Sequence, residues 1–251
     1  MTLPRLEDLN VEDLEFLASV VAARKEAEND DAIAQLIEKC IIIEGKKGRG
    51  KTLSAVALCY QMRERFGRHI IAVGSKMGLK KETFGEFQEL TIQQFRDALV
   101  AISEVSSIAG GEANPEVVQK LLLERGVDVL YATIVFDESY QLFDCRTPSD
   151  KLVRAFGYFG AQQRHYHCTT ILLTPDINML DRRIRRQVDW IGNCFHNAAT
   201  SNVTLRLSSG LDTLTIRFNG ADDSLHPAYY DMYNTHALVG YRTTHLDVKH
   251  Y

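Results

Sequence analysis

The stretch Cys40–Val56, CIIIEGKKGRGKTLSAV, decides the fold. A run of β-branched residues stops at Gly45. Gly45 opens a stretch of seven positions, 45–51, that holds three glycines and four basic residues, and then a helical pattern begins. Gly45, Lys46, Lys47, Gly48, Arg49, Gly50, Lys51 and Thr52 fit G-x-x-x-x-G-K-[ST] at every fixed position. The glycines let backbone N–H groups turn inward around a phosphate. Lys51 is placed to reach the β- and γ-phosphates, Thr52 to ligate Mg2+, and Leu53 to continue a helix whose positive end faces the anion. ATP is the expected ligand.

A strand that ends in a phosphate loop predicts an acidic partner on a parallel strand beside it. Ile134-Val135-Phe136-Asp137-Glu138 supplies one, 85 positions after Thr52. Asp137, at the end of an apolar strand, is the expected Mg2+ ligand with Thr52. Glu138 is placed to polarise an attacking water as general base. A glutamate directly after the metal aspartate points to water as the phosphate acceptor, hence to hydrolysis. The strand HIIAVG, residues 69–74, is expected to be inserted between the two motif strands.

The rest of the chain agrees with an α/β fold. The segments 128–136 and 169–174 are apolar at nearly every position, as in strands buried on both faces of a parallel sheet. Helices are expected at Lys51–Phe66, around 93–103 and around 115–125. Segments 189–197, 202–209 and 212–220 read as strands, the last two joined by the hairpin signal SGLD. Residues 1–39 read as an N-terminal helical appendage, in which 5–39 form two helices broken at ENDD, residues 28–31. It is expected to pack on the core, with contact to a neighbouring subunit as the alternative. Residues 40–251 form the ATPase domain with a C-terminal β extension. The Tyr-rich end is expected to form a short helix and an ordered tail.

Composition sets further bounds. The chain has 251 residues, 45% hydrophobic and 25% charged, with a net charge of −4. The whole molecule is therefore no electrostatic partner for nucleic acid, and such contact must use local basic patches. No apolar run is long enough to span a bilayer, and the acidic start lacks a signal-peptide core. An intracellular protein is expected. The five cysteines lack disulfide or zinc spacing; His165, His167 and Cys168 are the one local metal-type cluster.

With both motifs placed, the chain resembles the FtsK–HerA superfamily of P-loop ATPases. It is most similar to the zonular occludens toxin-like (Zot) branch and to viral genome-packaging ATPases. The residues that carry this are GKKGRGKT, IVFDES, QQRHYHCTTILLTPDINMLDRRIRRQVDW and YYDMYNTH. The resemblance implies a RecA/ASCE-like fold with a mostly parallel central sheet and C-terminal antiparallel strands. It also implies that Arg164-His165 and Leu180–Arg185 belong to branch motifs. The family's sensor strand usually ends in Gln or Asn; here Thr174-Pro175 stands there, and Thr174 is the candidate sensor. Phage members carry a transmembrane segment after the ATPase domain, and this chain shows none.

The implied function is an ATP-hydrolysing translocase that packages a viral genome, gripping the backbone of double-stranded DNA without reading bases. The implied assembly is a ring, a hexamer or pentamer. Arg164 leads Arg146 and Arg154 as the arginine offered to a neighbour's site. A capsid or membrane-vertex protein is a further implied partner, in host cytoplasm or on the virion. The alternatives are a Zot-like ATPase for virion assembly or protein export, and a nucleotide-binding subunit without turnover. DNA-contact candidates are Arg182, Arg185 and Arg186, expected on one helix face, and Lys76, Lys80 and Lys81.

Overall fold

The computed structural model describes residues 11–74, 77–108, 114–146, 151–197, 202–218 and 232. One eight-stranded sheet organises them. Its strands are β1 (Cys40–Glu44), β2 (His69–Val73), β3 (Gln88–Leu90), β4 (Ala132–Phe136), β5 (Thr169–Thr174), β6 (Trp190–Asn197), β7 (Asn202–Ser209) and β8 (Asp212–Phe218), in the order β3-β2-β4-β5-β1-β6-β7-β8. β3 through β6 in that order are mutually parallel, and β7 and β8 are antiparallel. The mostly parallel α/β architecture expected from the apolar strands is present.

Two of the expected neighbourhoods differ. β5, not β2, separates the two motif strands, and β2 lies on the far side of β4. The acidic strand is therefore one place removed from the phosphate-loop strand. β6, whose sequence suggested the antiparallel extension, pairs in parallel with β1 and belongs to the main body. Apolar patterning reports burial on two faces; it is silent about which strand a given strand pairs with.

The helices are α1 (Val11–Ala34), α2 (Lys51–Phe66), α3 (Lys81–Phe84), α4 (Ile92–Ile108), α5 (Pro115–Glu124), α6 (Lys151–Ala161) and α7 (Arg182–Arg185). One core lies on the α2 side of the sheet, where Ile33 and Leu36 meet Ile41, Ile43, Val56 and Met62. A second lies under α4, α5 and α6, where Ile42, Phe95, Phe136, Phe143, Phe156 and Phe159 pack together. Phe136 meets Phe143 and Phe156 with ring centroids 5.7 Å away in each case. These contacts anchor the end of β4, and truncating such a phenylalanine costs about 3–5 kcal/mol.

The appendage is one continuous helix over Val11–Ala34, not two. The ENDD residues do not break it because they find tertiary partners. Asn29 bonds the backbone of Arg217 on β8. Arg65 on α2 pairs with Asp30 and with Glu26. The expected packing holds at Ala32, Ile33 and Leu36, which are buried. Val11, Val20 and Val21 are exposed. The YYDMYNTH motif and the Tyr-rich end, Met232 apart, lie outside the described residues.

Candidate nucleotide site

The phosphate loop leaves β1 at the C-terminal edge of the parallel sheet, where α/β folds place their ligands. Ile41, Ile42 and Ile43 are wholly buried, so the loop springs from a fixed base. Gly45, Gly48 and Gly50 have φ of 147°, 81° and 92°. Side chains at these positions would be strained, and the conformation turns successive N–H groups to one side. Lys46, Lys47 and Arg49 are exposed, whereas Lys51 and Thr52 are half-buried. Lys51 Nζ lies 3.5 Å from the carbonyl oxygen of Lys46, so its ammonium is folded back over the loop. The Leu53 side chain is buried in the core, so only its backbone is left to face a ligand. The first turn of α2 holds no acidic residue, which suits an anion at its positive end.

Asp137 follows β4 at the same edge and is 7% exposed. Its N–H donates to the Val73 carbonyl at 3.1 Å, extending the β2–β4 ladder by one step. Gly74, with φ of 116°, faces it across that ladder, and a Cβ there would lie 2.8 Å from the Asp137 carbonyl oxygen. Glu138 adopts left-handed φ and ψ of 52° and 47°, which turns the chain off the sheet into a short 3-10 turn, Ser139–Gln141. The buried Ser139 hydroxyl donates to the Leu173 carbonyl on β5 at 2.9 Å and holds that turn down. β4 and β1 are two strand places apart, so Asp137 stands roughly 10 Å across the sheet from the root of the phosphate loop.

Thr174 ends β5 between them and is buried. Its carbonyl accepts from Gly45 N–H at 3.3 Å, and its hydroxyl donates to the Asp176 carbonyl at 2.9 Å. The candidate sensor is thus at the correct edge, with its donor spent locally. Glu44, which the sequence did not single out, ties the same two loops. Its Oε2 accepts from Ile177 N–H at 3.2 Å. Asp137, Glu138, Thr174 and the phosphate loop therefore share one edge of the sheet.

Arg164 does not join them. It precedes β5, at the opposite edge, and is exposed with Nη2 3.9 Å from Asp189 Oδ1. A five-residue strand is about 16 Å long, so Arg164 is out of reach of its own phosphate loop. Of the other candidate fingers, Arg154 is exposed on α6. Arg146 is held by Asp144 through Nε and Nη2 at 2.6–3.0 Å. The side-chain hydrogen bond from Arg146 is the main cause that holds the Asp144 carboxyl down at about 2.

The arginine cluster forms α7 with Asp181 as its N-cap, accepting from Arg183 N–H at 2.8 Å. Arg182 and Arg186 are exposed, whereas Arg185 is half-buried and donates to Asn178 Oδ1 at 3.2 Å. The expected three-arginine face is thus a pair of exposed residues and one committed residue. Lys80 and Lys81 are exposed, and Lys76 lies outside the described residues. The His165, His167 and Cys168 cluster does not converge. His167 Nδ1 lies 2.7 Å from Glu38 and its ring stacks on Tyr131, while burial pushes the Cys168 thiol up to about 12. Among the described residues no group of three His, Cys, Asp or Glu side chains is disposed to hold a metal.

No curated protein matches the chain. Among solved structures, it is similar to the N-terminal domain of zonular occludens toxin from Neisseria meningitidis, at 14% identity and a TM-score of 0.47, over 79% of this chain and 100% of that one. It is also similar to B204, the DNA-packaging ATPase from Sulfolobus turreted icosahedral virus, at 13% identity and a TM-score of 0.47, over 72% and 98%. A KaiC-like protein from Pyrococcus horikoshii aligns at 10% identity and a TM-score of 0.42, over 72% and 90%. The sequence profile described as zonular occludens toxin (Zot) matches residues 39–237. The chain, a P-loop α/β protein, belongs to the Zot family.

Proposed function

We propose that the chain is a Mg2+-dependent ATPase that works in a ring and drives DNA through it. One observation carries the reading: a phosphate loop, the buried Asp137 and the half-buried Glu138 stand at one edge of a parallel sheet with β5 between their strands. The loop's positive-φ glycines and Lys51 hold the triphosphate. Thr52 and Asp137 are the residues that would hold the metal. A bound Mg2+ would neutralise charge on the β- and γ-phosphates. Glu138 orients and deprotonates the attacking water, its backbone conformation set by the turn that Ser139 anchors.

Two features favour DNA over a protein cargo. Arg182 and Arg186 are exposed on α7, and Lys80 and Lys81 are exposed after β2; the segments follow β5 and β2, which both end at the edge of the sheet that carries the site. Charges so placed suit backbone phosphates, which give affinity without sequence readout. Arg164, remote from its own loop, can serve only a neighbour's site, which is the arrangement a ring provides. No helix among the described residues is long and apolar enough to cross a membrane. We place the motor in host cytoplasm, acting on a viral genome at a capsid vertex.

The test is steady-state ATP hydrolysis with and without double-stranded DNA. Hydrolysis should rise with DNA, vanish in Lys51→Ala, and fall by about three orders of magnitude in Glu138→Gln with ATP binding retained. A wild-type rate indifferent to DNA sinks the translocase reading, and no hydrolysis at all sinks the ATPase.

A further inference from the structure

The order of the sheet constrains a bound nucleotide beyond its phosphates. Asp137 and Glu138 stand on one flank of β1, beyond β5. A triphosphate whose terminal phosphate faces those carboxylates leaves its nucleoside on the other flank. β6 and β7 occupy that flank.

β6 runs level with β1 as far as Asn193, which pairs with Glu44. It then continues through Cys194, Phe195, His196 and Asn197, past the end of β1 and alongside the loop. The contacts are close. Cys194 Sγ lies 3.2 Å from the Ser54 hydroxyl on α2. A Cβ on Gly50, the N-cap of α2, would lie 3.3 Å from both Val203 methyls and 3.7 Å from His196 Cβ. His196 and Val203 are directly paired across the hairpin. Trp190, Gly192 and Cys194 turn to the α2 side of the sheet and are buried; His196 is the next residue on that face and is half-buried. A planar ring therefore stands where the core ends and the loop begins. The next pair, Asn197 and Asn202, adds two carboxamides at that end of the hairpin.

We propose that the β6–β7 hairpin receives the nucleoside, with the His196 imidazole as the surface on which it packs. This rests on the nucleotide reading above. The family-level motifs end at phosphate and metal; this assigns the residue that senses the rest of the ligand. A ring packed on a base is sequence-tolerant, because every base has a π-face, so His196 sets affinity for a nucleoside triphosphate more than choice among bases.

The experiment compares two ligands by titration calorimetry on the full chain with Mg2+: ATP, and inorganic tripolyphosphate, which lacks a nucleoside. His196→Ala should raise the Kd for ATP roughly tenfold and leave that for tripolyphosphate within about twofold. His196→Phe should restore ATP to within about threefold of wild type. If the alanine variant does not fold, His196→Asn takes its place with the same expectation. Equal weakening of both ligands means that His196 only shapes the loop, and overturns the proposal; so does unchanged ATP binding. A wild-type protein that binds tripolyphosphate as tightly as ATP overturns it as well. One that binds neither fails the nucleotide reading itself.

Discussion

A Cβ on Gly74 would stand 2.8 Å from the carbonyl oxygen of Asp137, at a backbone φ of 116°. The end of β2 thus presses on the residue proposed to hold the metal, and only a glycine fits there. Gly74→Ala should cost about 1–3 kcal/mol of stability from the backbone alone. Moving Asp137 by a fraction of an ångström should lower kcat by about 10- to 100-fold. ATP binding, carried by the loop on β1, should persist. Steady-state kinetics beside calorimetric ATP binding checks this; unchanged kcat would remove Asp137 from the site.

Glu44 binds the phosphate-loop strand to the segment after Thr174 through Ile177 N–H. Glu44→Ala leaves that donor unpaired and should cost about 1 kcal/mol, whereas Glu44→Gln keeps an acceptor oxygen and should recover most of it. Urea unfolding of the two variants measures the difference. Equal losses in both would mean that the charge, not the hydrogen bond, matters.

Asn29 closes the free edge of the sheet. Its Nδ2 donates to the Arg217 carbonyl at 3.0 Å, and its Oδ1 accepts from Arg217 N–H at 3.2 Å. The carboxamide imitates one step of a strand ladder. Asn29→Ala should cost about 1 kcal/mol and leave an exposed edge that promotes association. Light scattering during thermal unfolding should show earlier aggregation; a colourless outcome in both readouts would demote the contact.

Asp144 is held at about 2 chiefly by its side-chain hydrogen bond from Arg146. A lowered folded pKa stabilises the protein above the ordinary carboxylate value, and the contribution fades as pH falls from about 4 to about 2. Arg146→Ala should raise the Asp144 pKa towards the ordinary carboxylate value, with the backbone N–H of residue 146 still holding it partly down, read by carboxyl NMR titration. The pair must also break before Arg146 could act on a neighbour's phosphate, whereas Arg164, the finger proposed above, is more loosely tied, to Asp189 at 3.9 Å.

Much of the candidate site was legible because its signals are local. The glycine spacing of the loop, the apolar run before Asp137, and the β7–β8 hairpin each depend on a handful of consecutive residues. The two-helix reading of the appendage failed for the opposite reason. Polar residues at 28–31 look like a break until Arg65 and the backbone of Arg217 supply their partners. Those partners lie far along the chain, beyond any periodicity. Gly74 and His196 were missed for the same reason: each matters only through the strand or loop that the sheet brings beside it.

Sequence alone determined that a phosphate loop follows a buried strand, that an Asp-Glu pair ends another, and that the strands alternate with helices. Backbone sterics at glycine and two-faced burial impose those patterns on neighbouring residues. Tertiary structure decided that β5 lies between the motif strands, that β6 joins the parallel body, and that Arg164 faces away from its own loop. Strand order is set by non-local pairing and by which crossovers the helices allow. That order, and not the motif itself, determines what surrounds the phosphate.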